Sequence, residues 1–153
     1  MQRKIKLPVW GNEIMSDDFL TTYNGLLEGV LSDTQYKSLC ECVHGDWFSI
    51  EVSSEEKIVK SISGEEVKSL MFSLLDIIQK RNMVSSNYPY TYAKNIQDPI
   101  LIKVYDPMKC GSSCSTSSPD PWWIFTKIKP EDDELMTLFP KKNTKKFFGL
   151  LKV

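Results

Sequence analysis

A helical segment that directly follows two strand-like stretches constrains this fold more than any other feature of the sequence. The letters SGEE at 63–66 form a capping box, in which a serine and a glutamate satisfy the first free amides of a helix. Apolar residues then recur at helical spacing from Val67 to Ile78, and Lys80 and Arg81 follow where cations suit the negative helix end. The sequence therefore predicts a long helix over 63–81 with one buried face.

A hairpin is expected immediately before this helix. The stretch WFSIEV at 47–52 alternates, with Phe48, Ile50 and Val52 on one face. The letters SSEE then provide a polar turn, and KIVKSI at 57–62 provides a returning strand. We expect a β-hairpin over 47–62.

Two helices are predicted earlier in the chain. Ser16 can cap the first, whose apolar stripe runs from Phe19 to Leu31. The letters SDTQ at 32–35 form a second capping box, and the helix that follows should end at Gly45. Cys40 and His44 are four positions apart in this predicted helix, so they are expected to share one of its faces.

Strands dominate the predictions for the C-terminal half. ILIKVY at 100–105 and WWIFTKI at 122–128 indicate buried strands, while SSNYPYTYAKN at 85–95 is typical of an aromatic loop. KIKLPVW at 4–10 favours an edge strand, and KKFFGLLKV at 145–153 a strand or short helix. The expected fold is α+β. One domain over 1–153 packs N-terminal helices and a β-hairpin with a small, mostly antiparallel sheet, and 106–121 is a Ser/Pro-rich loop within it.

The length of the chain and the hydropathy of its segments indicate the cellular compartment in which it is expected to fold. A chain of 153 residues can bury a core without disulfides or metals. The longest apolar-rich stretch, LMFSLLDII, is too short to span a bilayer, and no secretory apolar segment follows the basic N-terminus. We therefore expect a cytoplasmic protein with reduced cysteines and no membrane partner.

Charge is distributed unevenly along the chain. Between residues 12 and 79 there are thirteen acidic residues and four lysines, whereas residues 80–153 carry seven acidic and twelve basic residues. An acidic surface of this kind favours a basic partner, because complementary charge speeds association and selects partners. It disfavours nucleic acid, since carboxylates repel phosphate.

Catalytic motifs are missing from the sequence. His44 is the single histidine, and no arginine follows Arg81 to serve a phosphatase-like loop. The loop CGSSCSTSS at 110–118 has the small residues of a phosphate cradle without a cation inside it. A cysteine nucleophile at Cys110 or Cys114 is therefore kept only as an alternative, in which His44 would have to be the base.

A zinc site is the other alternative. All four cysteines and the histidine fall into two clusters, over 40–44 and 110–114. The set Cys40, His44, Cys110 and Cys114 has the donor types of a tetrahedral zinc site, although the usual C-x-x-C spacing is absent. The main expectation is that no cofactor is bound.

These observations together indicate a non-enzymatic protein that binds another protein. The chain is small, without motifs and acidic on one part, and in these respects it is similar to bacterial immunity proteins, which neutralise basic nuclease toxins. Aromatic residues are common at binding hot spots. The residues that we expect to contact the partner are Glu41, Asp46, Glu51, Glu55, Glu56, Glu65, Glu66, Tyr88, Tyr90 and Trp122.

Overall fold

The computed structural model of the chain describes residues 18–83, 86–111 and 119–140, apart from the side chain of Cys110. In chain order, its helices and strands alternate irregularly. The helices are α1 (Phe19–Tyr23), α2 (Asp33–Glu41), α3 (Gly64–Arg81), α4 (Pro107–Gly111) and α5 (Asp132–Leu138). The strands are β1 (Glu28–Gly29), β2 (Asp46–Glu51), β3 (Val59–Ser63), β4 (Tyr90–Lys94), β5 (Leu101–Tyr105) and β6 (Trp123–Thr126).

The strands form one open antiparallel sheet in the order β1-β4-β5-β6-β2-β3. Side chains alternate between its faces, as the period of a strand requires. Trp47, Val104 and Phe125 belong to a core under α2 and α3, whereas Ile50, Leu101 and Ile124 belong to a second core with α1 and α5. The predicted α+β fold with a mostly antiparallel sheet is confirmed.

The long helix and the hairpin form where the sequence predicts them. The Ser63 hydroxyl accepts a hydrogen bond from the Glu66 amide at 3.2 Å, and the Glu66 carboxylate accepts one from the Ser63 amide at 2.9 Å. Both halves of the capping box are therefore made. At the other end, Asn82 adopts a left-handed conformation with φ of 55°, which ends the helix. β2 and β3 pair directly before α3.

The second helix begins as predicted and ends early. The Ser32 hydroxyl accepts from the Gln35 amide at 3.1 Å, but the Gln35 side chain accepts from the Leu31 amide instead of completing the box. α2 ends at Glu41 with Cys42 as its cap. The prediction that Cys40 and His44 share one helical face is therefore wrong.

The first helix is much shorter than its apolar stripe predicts. α1 ends at Tyr23, and its cap is Asp18, whose carboxylate accepts from the Thr21 amide at 2.8 Å. The chain then turns through Gly25 and enters β1, whose residues pair with β4. Pairing with the sheet replaces helical hydrogen bonds here, so Leu26 and Leu31 are 90% and 80% exposed rather than buried.

Two further predictions are corrected. The aromatic stretch expected to be a loop contains β4, because Thr91 and Ala93 alternate into the core while Tyr92 faces the other way. The expected Ser/Pro-rich loop over 106–121 begins with the short helix α4. The predicted strand over 4–10, the Ser16 cap and the 145–153 segment lie outside the described residues. Within the described ranges, every helix is too short or too polar to cross a membrane.

Candidate protein-binding surface

The start of α3 is held tightly against the turn that precedes β2. The Gly64 amide donates to the Gly45 carbonyl oxygen at 2.8 Å. A Cβ atom added to Gly64 would lie 2.8 Å from the Cα of His44, closer than real Cβ contacts come. Gly45 itself has φ of 89°, which glycine adopts without strain. Two glycines therefore let α3, β3 and the 42–45 turn meet at one corner.

Carboxylates from separate parts of the chain gather at this corner. Asp46 is the cross-strand partner of Ser63, which caps α3. Glu41 and Glu65 lie 3.9 Å and 3.5 Å from the Lys68 ammonium, which joins the end of α2 to the start of α3. We call this group the acidic end, and define it as Glu41, Asp46, Glu65, Glu66 and Asp98, all of them exposed.

Asp98 is the member that sequence reasoning missed. Its carboxylate lies 3.1 Å from His44 Nε2, although the two residues are 54 positions apart. Asp98 stands in the turn between β4 and β5, and its amide donates to the Asn95 side chain at 3.3 Å. The nearest sequence signal is the NIQD turn at 95–98, which says nothing about which part of the surface the turn will meet.

The remaining predicted acids lie at the far end of the hairpin. Glu51 ends β2, and Glu55 and Glu56 stand in the connection to β3. All of them are exposed, and we call them the hairpin acids. β2 rises about 3.3 Å per residue, so Asp46 and Glu51 are roughly 17 Å apart. The predicted acidic residues therefore form two groups, one at each end of the β2–β3 hairpin.

The predicted aromatic contacts are separate from these acids and partly buried. The Tyr88 hydroxyl donates to the Val30 carbonyl oxygen at 3.5 Å, and its ring meets Tyr90 edge-on at 6.3 Å. β4 lies four strands from β3, or about 19 Å at the usual spacing. Trp122 packs on the core beneath α3, with the Arg81 guanidinium 5.7 Å from its ring centre. The partner-binding role of these three residues stays a prediction.

The cysteines do not assemble a site in the part of the chain that the structure describes. Cys40 is fully buried, and burial raises the pKa of its thiol to about 12. His44 is 69% exposed and contacts Asp98. No three His, Cys, Asp or Glu side chains within the described ranges are placed to hold a metal ion. The side chain of Cys110 and the whole of Cys114 lie outside those ranges, so the zinc and nucleophile alternatives stay untested there.

One lysine on the opposite face of the sheet has an unusual environment. The Lys103 ammonium lies 3.5 Å from the centre of the Tyr23 ring, and burial lowers the pKa of Lys103 to about 8. Burial, followed by the charges of Tyr105 and Asp120, raises the pKa of Tyr23. The sequence did not single out Lys103, because a lone lysine in the strand LIKVY carries no motif. These groups lie across the sheet from α3 and are not part of the acidic end.

Gly64→Ala should destabilise the corner that carries the acidic end. The added methyl group would meet the His44 backbone, which cannot move as a side-chain tip can, so we expect a loss of about 2 kcal/mol in unfolding free energy. Urea denaturation followed by circular dichroism measures it. Gly29→Ala is the matched control, since its Cβ would meet only the partly exposed Tyr92 ring at 3.3 Å. Equal losses in both variants would contradict the steric argument.

No family model, no curated protein and no solved structure matches the chain.

Proposed function

We propose that this chain is a non-enzymatic binding protein whose acidic surface takes up a basic protein. Its sharpest form is a toxin-neutralising immunity protein that binds and blocks a nuclease. The observation that carries the proposal is the acidic end, where exposed carboxylates from α2, β2, α3 and the β4–β5 turn converge. Residues distant in sequence supply one sign of charge to one corner of the molecule.

Local cations compensate this charge only in part. Lys68 is shared by Glu41 and Glu65. Lys127 lies close to Gly45, where a Cβ atom would be 3.2 Å from its Nζ, and its ammonium is 5.4 Å from the Trp47 ring centre. Lys68, Lys127 and the imidazole of His44 thus lie beside the five carboxylates of this corner. The remaining negative potential favours approach of a cationic surface, and a nuclease carries such a surface for its phosphate substrate.

The scaffold beneath the acidic end is rigid enough for a specific surface. The Trp47 indole N–H donates to the His44 carbonyl oxygen at 2.8 Å, and Trp47 itself is fully buried. Glu66 is held by the capping box, and the Glu41 carboxylate lies 3.9 Å from the Lys68 ammonium. Less side-chain entropy is lost when such pre-positioned groups meet a partner.

Charge reversal at the acidic end tests the proposal. The variant is Glu41→Lys with Asp46→Lys and Glu65→Lys, which spares the capping role of Glu66. Binding is measured by biolayer interferometry against a panel of purified, catalytically inactivated basic nuclease toxin domains. We expect saturable binding to a member of the panel and a loss of about a hundredfold or more in the variant, because like charges then face each other.

A variant with the same change in charge provides the control. It combines Glu28→Lys, Asp132→Lys and Asp133→Lys, all exposed and placed on β1 and α5, away from the acidic end. Its affinity should fall much less, by the long-range effect of net charge alone. Equal losses in the two variants, or no binding across the panel, would contradict the proposed function. Inhibition of the active nuclease by the wild-type chain distinguishes neutralisation from simple binding.

A further inference from the structure

β3 is the outermost strand at one edge of the sheet. It pairs with β2 on one side, and no strand in the described ranges pairs with its other side. An unpaired edge of this length presents backbone N–H and C=O groups to any chain that can lie beside it. The opposite edge is β1, which has only two residues and therefore presents fewer backbone N–H and C=O groups.

The pairing pattern identifies which backbone groups face outward. The Gly64 amide bonds the Gly45 carbonyl oxygen, so these opposed residues form a hydrogen-bonded pair. In an antiparallel ladder such pairs alternate, which directs the groups of Lys60 and Ile62 toward β2. The groups of Val59, Ser61 and Ser63 then face outward. Glu66 already accepts the Ser63 amide, so Val59 and Ser61 are left to bond a further strand.

Apolar side chains accompany this open edge. Glu66 reaches the outward amide of Ser63, so the side of α3 that carries Glu66 lies over the edge. Leu70 and Ile77 follow Glu66 at positions i+4 and i+11 and therefore share that side. Ile77 is 42% exposed, and Ile58, just before β3, is 56% exposed. Near the start of α3 and just before β3, Leu70 and Ile58 would offer apolar contacts to a strand beside β3, next to the exposed Lys60.

Acidic groups stand at both ends of the same edge. Glu55 and Glu56 precede β3 beside Lys57, whose ammonium donates to the Ser54 carbonyl oxygen at 2.6 Å, and Glu65 and Glu66 follow β3. β3 has five residues, so the two groups are separated by roughly 17 Å of strand. An extended segment that fits this edge carries cations at both of its ends and apolar residues between them.

We propose that β3 receives an extended segment of the basic partner as a seventh strand, with lysine or arginine at each end facing Glu55 and Glu56 and Glu65 and Glu66. The inference rests on the proposed function and specifies how the partner is held. Backbone bonds to Val59 and Ser61 supply the pairing, and the flanking charges select a basic segment, as in other cases of strand addition.

A second copy of this chain does not fit the same edge. Antiparallel pairing of two β3 strands would place Glu55 and Glu56 of one chain against Glu65 and Glu66 of the other. Parallel pairing would place each acidic group against its equivalent. Either arrangement brings acidic residues of the two chains together, which destabilises cross-strand pairs, and Lys57 offsets only part of this repulsion. The charges therefore favour a basic partner over self-association.

Synthetic peptides test the proposal with defined probes. The first probe has about nine residues, with two lysines at each end and alternating valine and threonine between them. The second has glutamates in place of the lysines, and the third is the lysine peptide with N-methyl groups on alternate backbone nitrogens. We expect the first alone to bind saturably in calorimetry. It should also slow hydrogen exchange of the Val59 and Ser61 amides by about tenfold or more.

Two substitutions at one position separate backbone pairing from side-chain effects. Ser61→Pro removes the outward N–H at an edge position that tolerates proline, and should weaken binding of the lysine peptide by about tenfold. Ser61→Ala keeps the N–H and should bind within about twofold of wild type. The methylated peptide repeats this test on an unchanged protein, so it remains informative even if the proline variant unfolds.

Several results of the binding and hydrogen-exchange measurements would overturn strand addition at β3. Equal binding of the glutamate-ended peptide, or binding that N-methylation leaves intact, would overturn it. Strong protection of Val59 and Ser61 in the free chain would also overturn it, because the edge would then be covered already. With a nuclease partner, loss of binding on charge reversal but not in Ser61→Pro rejects strand addition and keeps the proposed function. If neither the charge reversal nor Ser61→Pro changes binding of the nuclease, strand addition and the proposed function are both rejected.

Discussion

Replacing Trp47 with alanine is expected to lower the free energy of unfolding by about 4 kcal/mol. Trp47 is fully buried in the core beneath α2 and α3, and it is among the largest side chains there. Its removal leaves a cavity between the sheet and both helices. It also deprives the His44 carbonyl oxygen of a hydrogen bond made at 2.8 Å. Urea denaturation monitored by far-ultraviolet circular dichroism measures the change.

Trp47→Phe is the matched control for this result. Phenylalanine fills most of the same volume but donates no hydrogen bond, so we expect a loss of roughly half the alanine value. The acidic end should also loosen in the alanine variant, because His44 and Gly45 adjoin it. Faster hydrogen exchange of the Gly64 amide would report that change. A loss below about 1 kcal/mol in the alanine variant would show that the core closes without this side chain.

Removing the carboxylate of Asp106 is expected to cost about 3 kcal/mol. Its two oxygens accept hydrogen bonds from the Arg81 guanidinium at 2.6 Å and 3.2 Å. The Asp106 side chain is only 10% exposed and that of Arg81 is 27% exposed, so Asp106→Ala leaves a largely buried cation without its partner. Thermal and urea denaturation measure the loss. Arg81→Met with Asp106→Leu is the control, since removing both charges should restore much of the stability.

The ion pair between Arg81 and Asp106 should also make the free energy of unfolding decrease at acid pH. Burial alone would raise the pKa of Asp106, but hydrogen bonds from Arg81 and the Met108 amide bring it below its ordinary value. The folded state therefore binds the proton less readily than the unfolded chain. The pair's contribution is present above the ordinary aspartate pKa of about 3.9, and it is lost as pH falls through the folded value. Stability of Asp106→Asn should fall less steeply below about pH 4. If the free energy of unfolding depends on pH in the same way in the wild type and in Asp106→Asn, this role of the ion pair is contradicted.

Local signals in the sequence were sufficient to predict α3 and the β2–β3 hairpin, because the hydrogen bonds of these elements join residues that are close in sequence. α3 carries a capping box, an apolar stripe and a basic last turn, so it forms as predicted. The hairpin before it has alternation and a polar turn within one short stretch. These features depend on neighbours in sequence, which is why a single sequence reveals them.

Elements decided by distant partners were not predictable in this way. The stripe from Phe19 to Leu31 has helical spacing, yet the chain leaves the helix after Tyr23 because β1 finds a partner in β4. The residues of β4 were misassigned because proline and tyrosines resemble a loop until β5 pairs with them. Sheet pairing overrides local propensity in both places.

The candidate surface was predictable in composition but not in arrangement. Every acid named from the sequence is exposed, as carboxylates usually are. Their division into two groups follows from the register of β2 with β3, and Asp98 joins only through the position of the β4–β5 turn. The sequence predicts Tyr88 and Trp122 as partner contacts, yet hydrogen bonding and packing hold both side chains partly buried against the rest of the chain.

The place of β6 in the sheet has a consequence for biosynthesis. The β2–β3 and β4–β5 hairpins join near neighbours in the chain, so each can close soon after it leaves the ribosome. β6 lies between them, although it is translated after both. Until residues 123–126 emerge, β2 and β5 each keep an open edge, and the two hairpins have no strand to connect them. During that interval the nascent chain is exposed to misassociation at both open edges, and a chaperone would protect it there.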